Sequence, residues 1–273
     1  MAPLPEPDDF GSGSAGMVVG IRATSRAVLG DALADGIALA TGRHRRLRQD
    51  ARSSPTRSVL ALGIERPDEP NLLESIRREL LSSRHQVRFA GAVAGDRGKF
   101  DNLNALLAEN PPAESDWLLV IDDDVVLPRG FLDTFIFLAE RFELRLAQPA
   151  HRLRSHAAWQ VTRRRPTAVV RETAFVEIGP VVAFHRVTFG DLLPFPELRA
   201  GWGLDLHWSA VAREHGWKLG VVDATPIRHG LRPIAGSYDR SDAVAEAQRF
   251  LSDRPYTPAA EAQRTLVTHR TWT

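Results

Sequence analysis

The sequence predicts an α/β protein with a mixed central sheet flanked by helices, and three stretches carry that expectation. Residues 116–128, Asp-Trp-Leu-Leu-Val-Ile-Asp-Asp-Asp-Val-Val-Leu-Pro, hold an apolar run too short to cross a bilayer. Such a run reads as a strand buried on both faces, and it ends abruptly in Asp122, Asp123 and Asp124. Upstream, residues 58–64 read as a strand, Leu72, Leu73, Ile76, Leu80 and Leu81 give a helical stripe, and residues 85–93 read as a second strand. Together they form a β-α-β unit. Downstream, residues 130–142 carry an amphipathic helix through Phe131, Leu132, Phe135 and Leu138.

Composition narrows the chemistry. The 273 residues suffice for one generous core, and with 35 basic against 34 acidic side chains the formal charge is only +1. The only lysines are Lys99 and Lys218. Arginine richness with so little lysine reads as a coding bias and does not point to nucleic acid. The absence of cysteine excludes disulfides, thiolate metal sites and thiol catalysis, so any metal must use Asp, Glu or His. The first residues lack the basic-then-apolar order of a secretion signal and no run is long enough for a membrane span, which makes a cytoplasmic enzyme the expectation.

In chain order, residues 1–16 are rich in Pro, Gly, Ser and Asp and are expected to form a disordered arm. Residues 17–56 form a helical, basic extension: 17–40 are helical in pattern, and Arg43-His44-Arg45-Arg46-Leu47-Arg48 is either a solvated helix end or a contact for phosphate or a membrane surface. The main domain spans 57–235. Within it, Asn71 with Glu74 predicts a capping box opening the first helix. Residues 94–104, a glycine-flanked loop holding Lys99 and Asn102, then run into a helix that carries Leu103, Leu106 and Leu107. Free amides and a lysine at a helix start suit a diphosphate or a ribose, and an ordinary capped loop has the same pattern. Residues 144–148 read as a further strand, and 236–273 as a helix followed by a tail that can cover a donor site.

The aspartates at the end of the buried strand repel one another and resist desolvation. A divalent cation outside the strand's carboxyl end, where open α/β sheets bind ligands, accounts for them; a solvated acidic turn is the plain alternative. Glu177 lies in the apolar, strand-like stretch 173–182 and calls for a partner, either one of Arg163, Arg164 and Arg165 or an acceptor hydroxyl. The arginine triplet itself reads as a solvated or structural run. Asp205 opens a helix after Gly201-Trp202-Gly203-Leu204 and is a cap or a base, Trp202 is a core residue or a platform for a sugar, and His229 follows a strand.

The order strand, helix, strand, Gly-Lys with Asn-Leu-Asn, apolar strand, Asp-x-Asp, Pro128 and amphipathic helix resembles the donor half of GT-A-fold glycosyltransferases, especially inverting, family-2-like ones. The resemblance implies that Asp122 and Asp124 form the Asp-x-Asp pair holding Mn²⁺ or Mg²⁺ on the diphosphate of a nucleotide sugar. It implies donor contacts from Glu65, Asp96, Lys99, Asn102, Asp122 and Asp123, and acceptor contacts from Glu177 and Trp202. By the same match Asp205 is the base that deprotonates a hydroxyl acceptor, and His229 is a third metal ligand or a diphosphate contact. Where many members carry a first acidic residue, this chain has Leu204. A further resemblance runs from residue 159 to 233. Trp-x-x-Thr, Phe-Val-Glu-Ile with Pro-Val, Gly-Trp-Gly-Leu-Asp, and Gly-Val-Val-Asp followed by Ile-x-His are similar to strings in a family of plant and bacterial proteins of unassigned function.

Two other classes share parts of the pattern. A haloacid-dehalogenase-type phosphatase also places Asp-x-Asp after an apolar strand, with Asp122 as nucleophile and Lys218 as its partner. A non-catalytic sugar- or nucleotide-binding module would explain Leu204.

Overall fold

The structure, a computed structural model, describes residue 18, residues 20–230 and residues 239–273. The expected arm at 1–16 and the expected boundary at 235 fall outside the described residues. Two helices come first, α1 (Ile21–Ala40) and α2 (Arg43–Ser53). The β-α-β unit follows as β1 (Ser58–Glu65), α3 (Leu73–Leu81) and β2 (Gln86–Val93). Then come α4 (Lys99–Glu109), β3 (Trp117–Asp122), β4 (Val125–Val126), α5 (Phe131–Arg141) and β5 (Leu144–His151). The second half holds β6 (Val170–Thr173), β7 (Val181–His185), α6 (Phe189–Leu192), α7 (Leu204–Glu214) and β8 (Lys218–His229). Last are α8 (Arg240–Leu251), α9 (Ala259–Ala262) and β9 (Thr265–His269).

The strands form one mixed sheet in the order β2-β1-β3-β7-β5-β8-β6-β9, with β4 paired to β8. β2, β1 and β3 run parallel; β7 is antiparallel to both β3 and β5; and β8 is parallel to β5 but antiparallel to β4 and β6. Period-two alternation sorts the central strands onto two cores. Leu60, Leu62, Leu118 and Val120 face α4, α7 and α8, while Val59, Ala61, Trp117, Leu119 and Ile121 face α2, α3 and α5. Both faces are thus covered, which is why the run 117–121 shows no polar residue. The mixed sheet flanked by helices matches the expected fold class.

Several local expectations are corrected. Asn71 and Glu74 form no capping box: α3 begins at Leu73, the Asn71 carboxamide oxygen accepts from the Leu73 amide at 3.4 Å, and Glu74 pairs along the helix with Arg77 and Arg78. The amide of Leu72 donates instead to the carbonyl of Asp123, so the aspartate turn supplies the acceptor that a box would have. The stretch 173–182 is not one strand, since β6 ends at Thr173 and β7 starts at Val181, leaving Glu177 in the connection. The last strand of the expected series continues to His151. In the C-terminal tail β9 closes the far edge of the sheet on β6, and Trp272 Nε1 donates to Asp50 on α2 at 2.7 Å.

Candidate active site and metal centre

Asp122 ends β3 beside Ile64 of β1, and its amide donates to the Pro180 carbonyl at 2.8 Å. Asp124 is buried two residues on. β4 follows at once and pairs with the end of β8, Val125 opposite His229, so the hairpin-like return carries the imidazole to the aspartates. Asp122, Asp124 and His229 each offer a ligand atom, and these atoms lie within 4.8 Å of one another. His229 Nε2 is 3.1 Å from Asp124 Oδ1. Burial works against a charged imidazole, yet the hydrogen bond and charge of Asp124, with Asp122 and Glu177 behind them, hold the His229 pKa above its usual value. Two carboxylates and one imidazole suit Mn²⁺ or Mg²⁺ in donor type, with room in the coordination sphere for a ligand's oxygens.

Lys99, the first residue of α4, reaches across to this cluster. Its Nζ donates to Asp122 Oδ1 at 2.7 Å and to the carbonyl of Ile178 at 3.3 Å. The Ile178 amide is also among the backbone groups that pull the Asp205 pKa down.

Asp205 occupies the first turn of α7, behind Gly203, whose φ of 83° the helix entry requires. It is buried, and Oδ1 accepts from the Leu206 amide at 3.0 Å. Burial, followed by the charge of Glu177, raises its pKa to about 7, against the pull of the Leu206, Asp205 and Ile178 amides. Leu204, the residue before it, is fully buried in the core. The carboxylate beside Asp205 comes from Glu177 instead.

Glu177 is held by neutral donors and a histidine. Oε1 accepts from the Trp159 amide and from Thr162 Oγ1, both at 2.8 Å, and Oε2 lies 3.0 Å from His151 Nε2. Its own amide donates to Gln148 Oε1 at 2.6 Å. With its oxygens so engaged it holds the loop in place. The arginines go elsewhere: Arg163 donates to the Leu153 carbonyl, Arg164 pairs with Asp35 at 2.7 Å, and the Arg165 amide donates to Asp223. His151 continues the network, with Nδ1 3.5 Å from Ser155 Oγ, which in turn bonds the amide and carbonyl of His229. The strings at 159–162, 175–178 and 201–205 thus meet around Glu177.

The remaining expected donor contacts separate into two groups. Asn102 is buried and spends its amide on the carbonyls of Ala94, Arg97 and Gly98, so it fixes the loop before α4. Asp123 is buried too, and its Oδ2 accepts from the Arg66 amide at 2.9 Å, which fixes the loop after β1. Glu65 ends β1 and lines a groove with Leu73, Phe89 and Gly91, while Asp96 is exposed in the loop. Trp202 packs on the core beneath Arg240, whose guanidinium lies 5.7 Å from the ring centre. Lys218 opens β8, at the end opposite His229, and pairs with Glu143 and Glu172; the lysine beside Asp122 is Lys99.

No protein-family model matches the chain, and no curated protein matches it in sequence. Among solved structures it is similar to the mannosyltransferase PcManGT from Pyrobaculum calidifontis, solved with GDP-Man and Mn²⁺, at TM-score 0.46 and 13% identity over 84% of this chain and 79% of that one. GalNAc-T7, solved with UDP, GalNAc and Mn²⁺, gives TM-score 0.44 and 11% identity over 72% of this chain, which spans only 48% of that protein. A197 from STIV gives TM-score 0.44 and 10% identity over 65% and 87% of the two chains. Among the described residues no helix is long and apolar enough to cross a membrane.

His151 and Ser155 are the site residues that sequence reasoning missed. The available signal was a histidine just past the expected end of the 144–148 strand, on the same edge as the aspartates.

Proposed function

We propose that the protein is a metal-dependent glycosyltransferase of GT-A-like fold that moves a sugar from a nucleoside diphosphate sugar to a hydroxyl acceptor with inversion. The observation that carries the reading is the Asp122–Asp124–His229 cluster at the carboxyl end of β3, with Lys99 donating to Asp122 at 2.7 Å. A phosphatase reading needs a lysine from β8 at Asp122, and Lys218 lies at the wrong end of that strand.

In this reading Asp122, Asp124 and His229 hold Mn²⁺ or Mg²⁺. When bound, the cation neutralises the charge that grows on a departing diphosphate. Lys99, whose Nζ donates to Asp122 Oδ1, would add its positive charge beside the same phosphates. Asp205 takes the proton of the acceptor hydroxyl as its oxygen attacks the anomeric carbon, and the bond from that carbon to the diphosphate breaks on the opposite face. Glu177 is a positioning residue: it sets the loop through Trp159 and Thr162 and keeps the Asp205 carboxylate basic enough to accept a proton near neutrality. Asn102 and Asp123 shape the two loops that border the donor side, and Glu65, Asp96 and Trp202 lie on their rims.

A thermal-shift screen of nucleoside diphosphates with and without Mn²⁺ tests the reading. Stabilisation by one diphosphate that requires the metal, and that Asp124→Ala abolishes, is expected. Stabilisation by every nucleotide without metal, or by none with it, counts against it.

A further inference from the structure

The first helix is built inside out. The side of α1 against the protein carries Ala27, Asp31, Ala34 and Ala38, all buried. The side away from it carries Leu29, Leu33 and Leu39, exposed to 70%, 67% and 75%, flanked by Ile21 and Ile37. At 100° per residue these side chains share one broad outward face. A helix apolar on both sides is ordinarily covered on both. Its charged residues, Arg22, Arg26, Asp31 and Asp35, count against a membrane crossing.

The distribution of charge indicates what meets the outward face. The two acids of α1 turn inward: Asp31 accepts from the amides of Leu153 and Arg154 at 3.0 and 2.9 Å, and Asp35 pairs with Arg152 and Arg164. The two bases, Arg22 and Arg26, are exposed and project on the apolar side at the start of the helix. Past its end, α2 adds exposed Arg45, Arg46 and Arg48, against the single acid Asp50, which holds Trp272. The apolar face therefore lies between two groups of arginines. Pairing with a second copy places arginine on arginine, in the parallel arrangement at Arg22 and Arg26 and in the antiparallel one where Arg22 and Arg26 meet Arg45 and Arg46. An anionic surface opposes none of them, and arginine stems can lie along the apolar face while their heads reach phosphates.

We propose that α1 is a membrane-surface helix, seating its Leu29–Leu33–Ile37 face in the interface of an anionic bilayer with the arginines of α1 and α2 on the lipid phosphates. The inference does not rest on the transferase reading. It has a consequence for it, because α1 grips the loop 152–154, and Ser155 of the same loop bonds His229. A lipid surface under α1 lies one loop from the candidate metal site.

Flotation of the full chain with vesicles tests the proposal. Phosphatidylcholine mixed with phosphatidylglycerol is expected to carry the protein up, and phosphatidylcholine alone to leave it behind. Raised salt and Arg22→Glu with Arg26→Glu should each weaken binding by about tenfold or more. Leu29→Glu with Leu33→Glu should abolish binding while circular dichroism and Tm stay as in the parent, since both side chains face outward. Three results overturn the proposal: no flotation on anionic vesicles, equal flotation on neutral ones, or a dimer in light scattering that the leucine substitutions dissociate while no vesicle binds. Donor-site function is read separately by the nucleotide thermal shift, so failure of one leaves the other standing.

Discussion

Asp205 and Glu177 set the pH behaviour of the site. In the proposed transferase Asp205 is the base and must be ionised to act, and burial and then Glu177 raise its pKa to about 7. Activity is therefore expected to rise with pH through about 7 and to level above it. Glu177→Gln removes one of the two causes and should move that limb to lower pH, a shift that a purely structural role would not produce. The same pKa has a stability counterpart. The folded state holds the Asp205 proton more tightly than the unfolded chain, so its contribution is fully present below about 4 and is lost as pH rises through about 7. Asp205→Asn should thus gain on the parent in urea unfolding at pH 8, by about 2–4 kcal/mol, show a smaller gain at pH 5, and show none below about pH 4. Neighbouring aspartates divide by role as well. Asp123→Ala removes the carboxylate that accepts from the Arg66 amide and should cost about 1–3 kcal/mol while Mn²⁺-dependent stabilisation survives; Asp124→Ala should erase that stabilisation.

At the level of elements, β6 and β8 are locked by Arg171 and Asp223, which are fully buried and joined at 2.7 and 3.1 Å. Burial raises the Asp223 pKa, and Arg171 pulls it back. Arg171→Met strands a buried carboxylate and should cost about 3–5 kcal/mol in chemical denaturation, most of it recovered by adding Asp223→Leu. This pairing also shows where sequence reading fails. β1, β2 and β3 were legible because each has its own local period and a helix between. β6 was not, since Arg171 and Glu172 interrupt its apolar pattern and their partners lie in β8 and β9. Glu177 was flagged by its apolar surroundings, but its partner His151 is 26 residues away and no local pattern announces it. The aspartate cluster could be read because three charges ending a buried strand violate the local rule outright. The inverted face of α1 was hidden for the opposite reason: a helix rich in Ala and Leu reads alike whichever side is in.

In the whole molecule the site sits where the two halves of the sheet meet. The parallel half supplies Asp122 and, through α4, Lys99; the mixed half supplies His229, Glu177 and Asp205. Neither half holds a complete set, so the constellation depends on the β3–β7 pairing that joins them. The C-terminal end of the chain is fastened to α2 and α5, through Trp272 to Asp50 and Arg141.

β8 belongs to two environments along its length. Val221 and Val222 are flanked by β5 on one side and β6 on the other, whereas Arg228 and His229 pair with the two-residue β4. In deuterium exchange the amides at 221 and 222 should open only with global unfolding, and those at 228 and 229 through a local fluctuation of much smaller free energy. Added Mn²⁺ with a nucleoside diphosphate should slow the second pair and leave the first unchanged. The strand thereby gives the site a clasp that opens to admit its ligand while the sheet behind it stays closed.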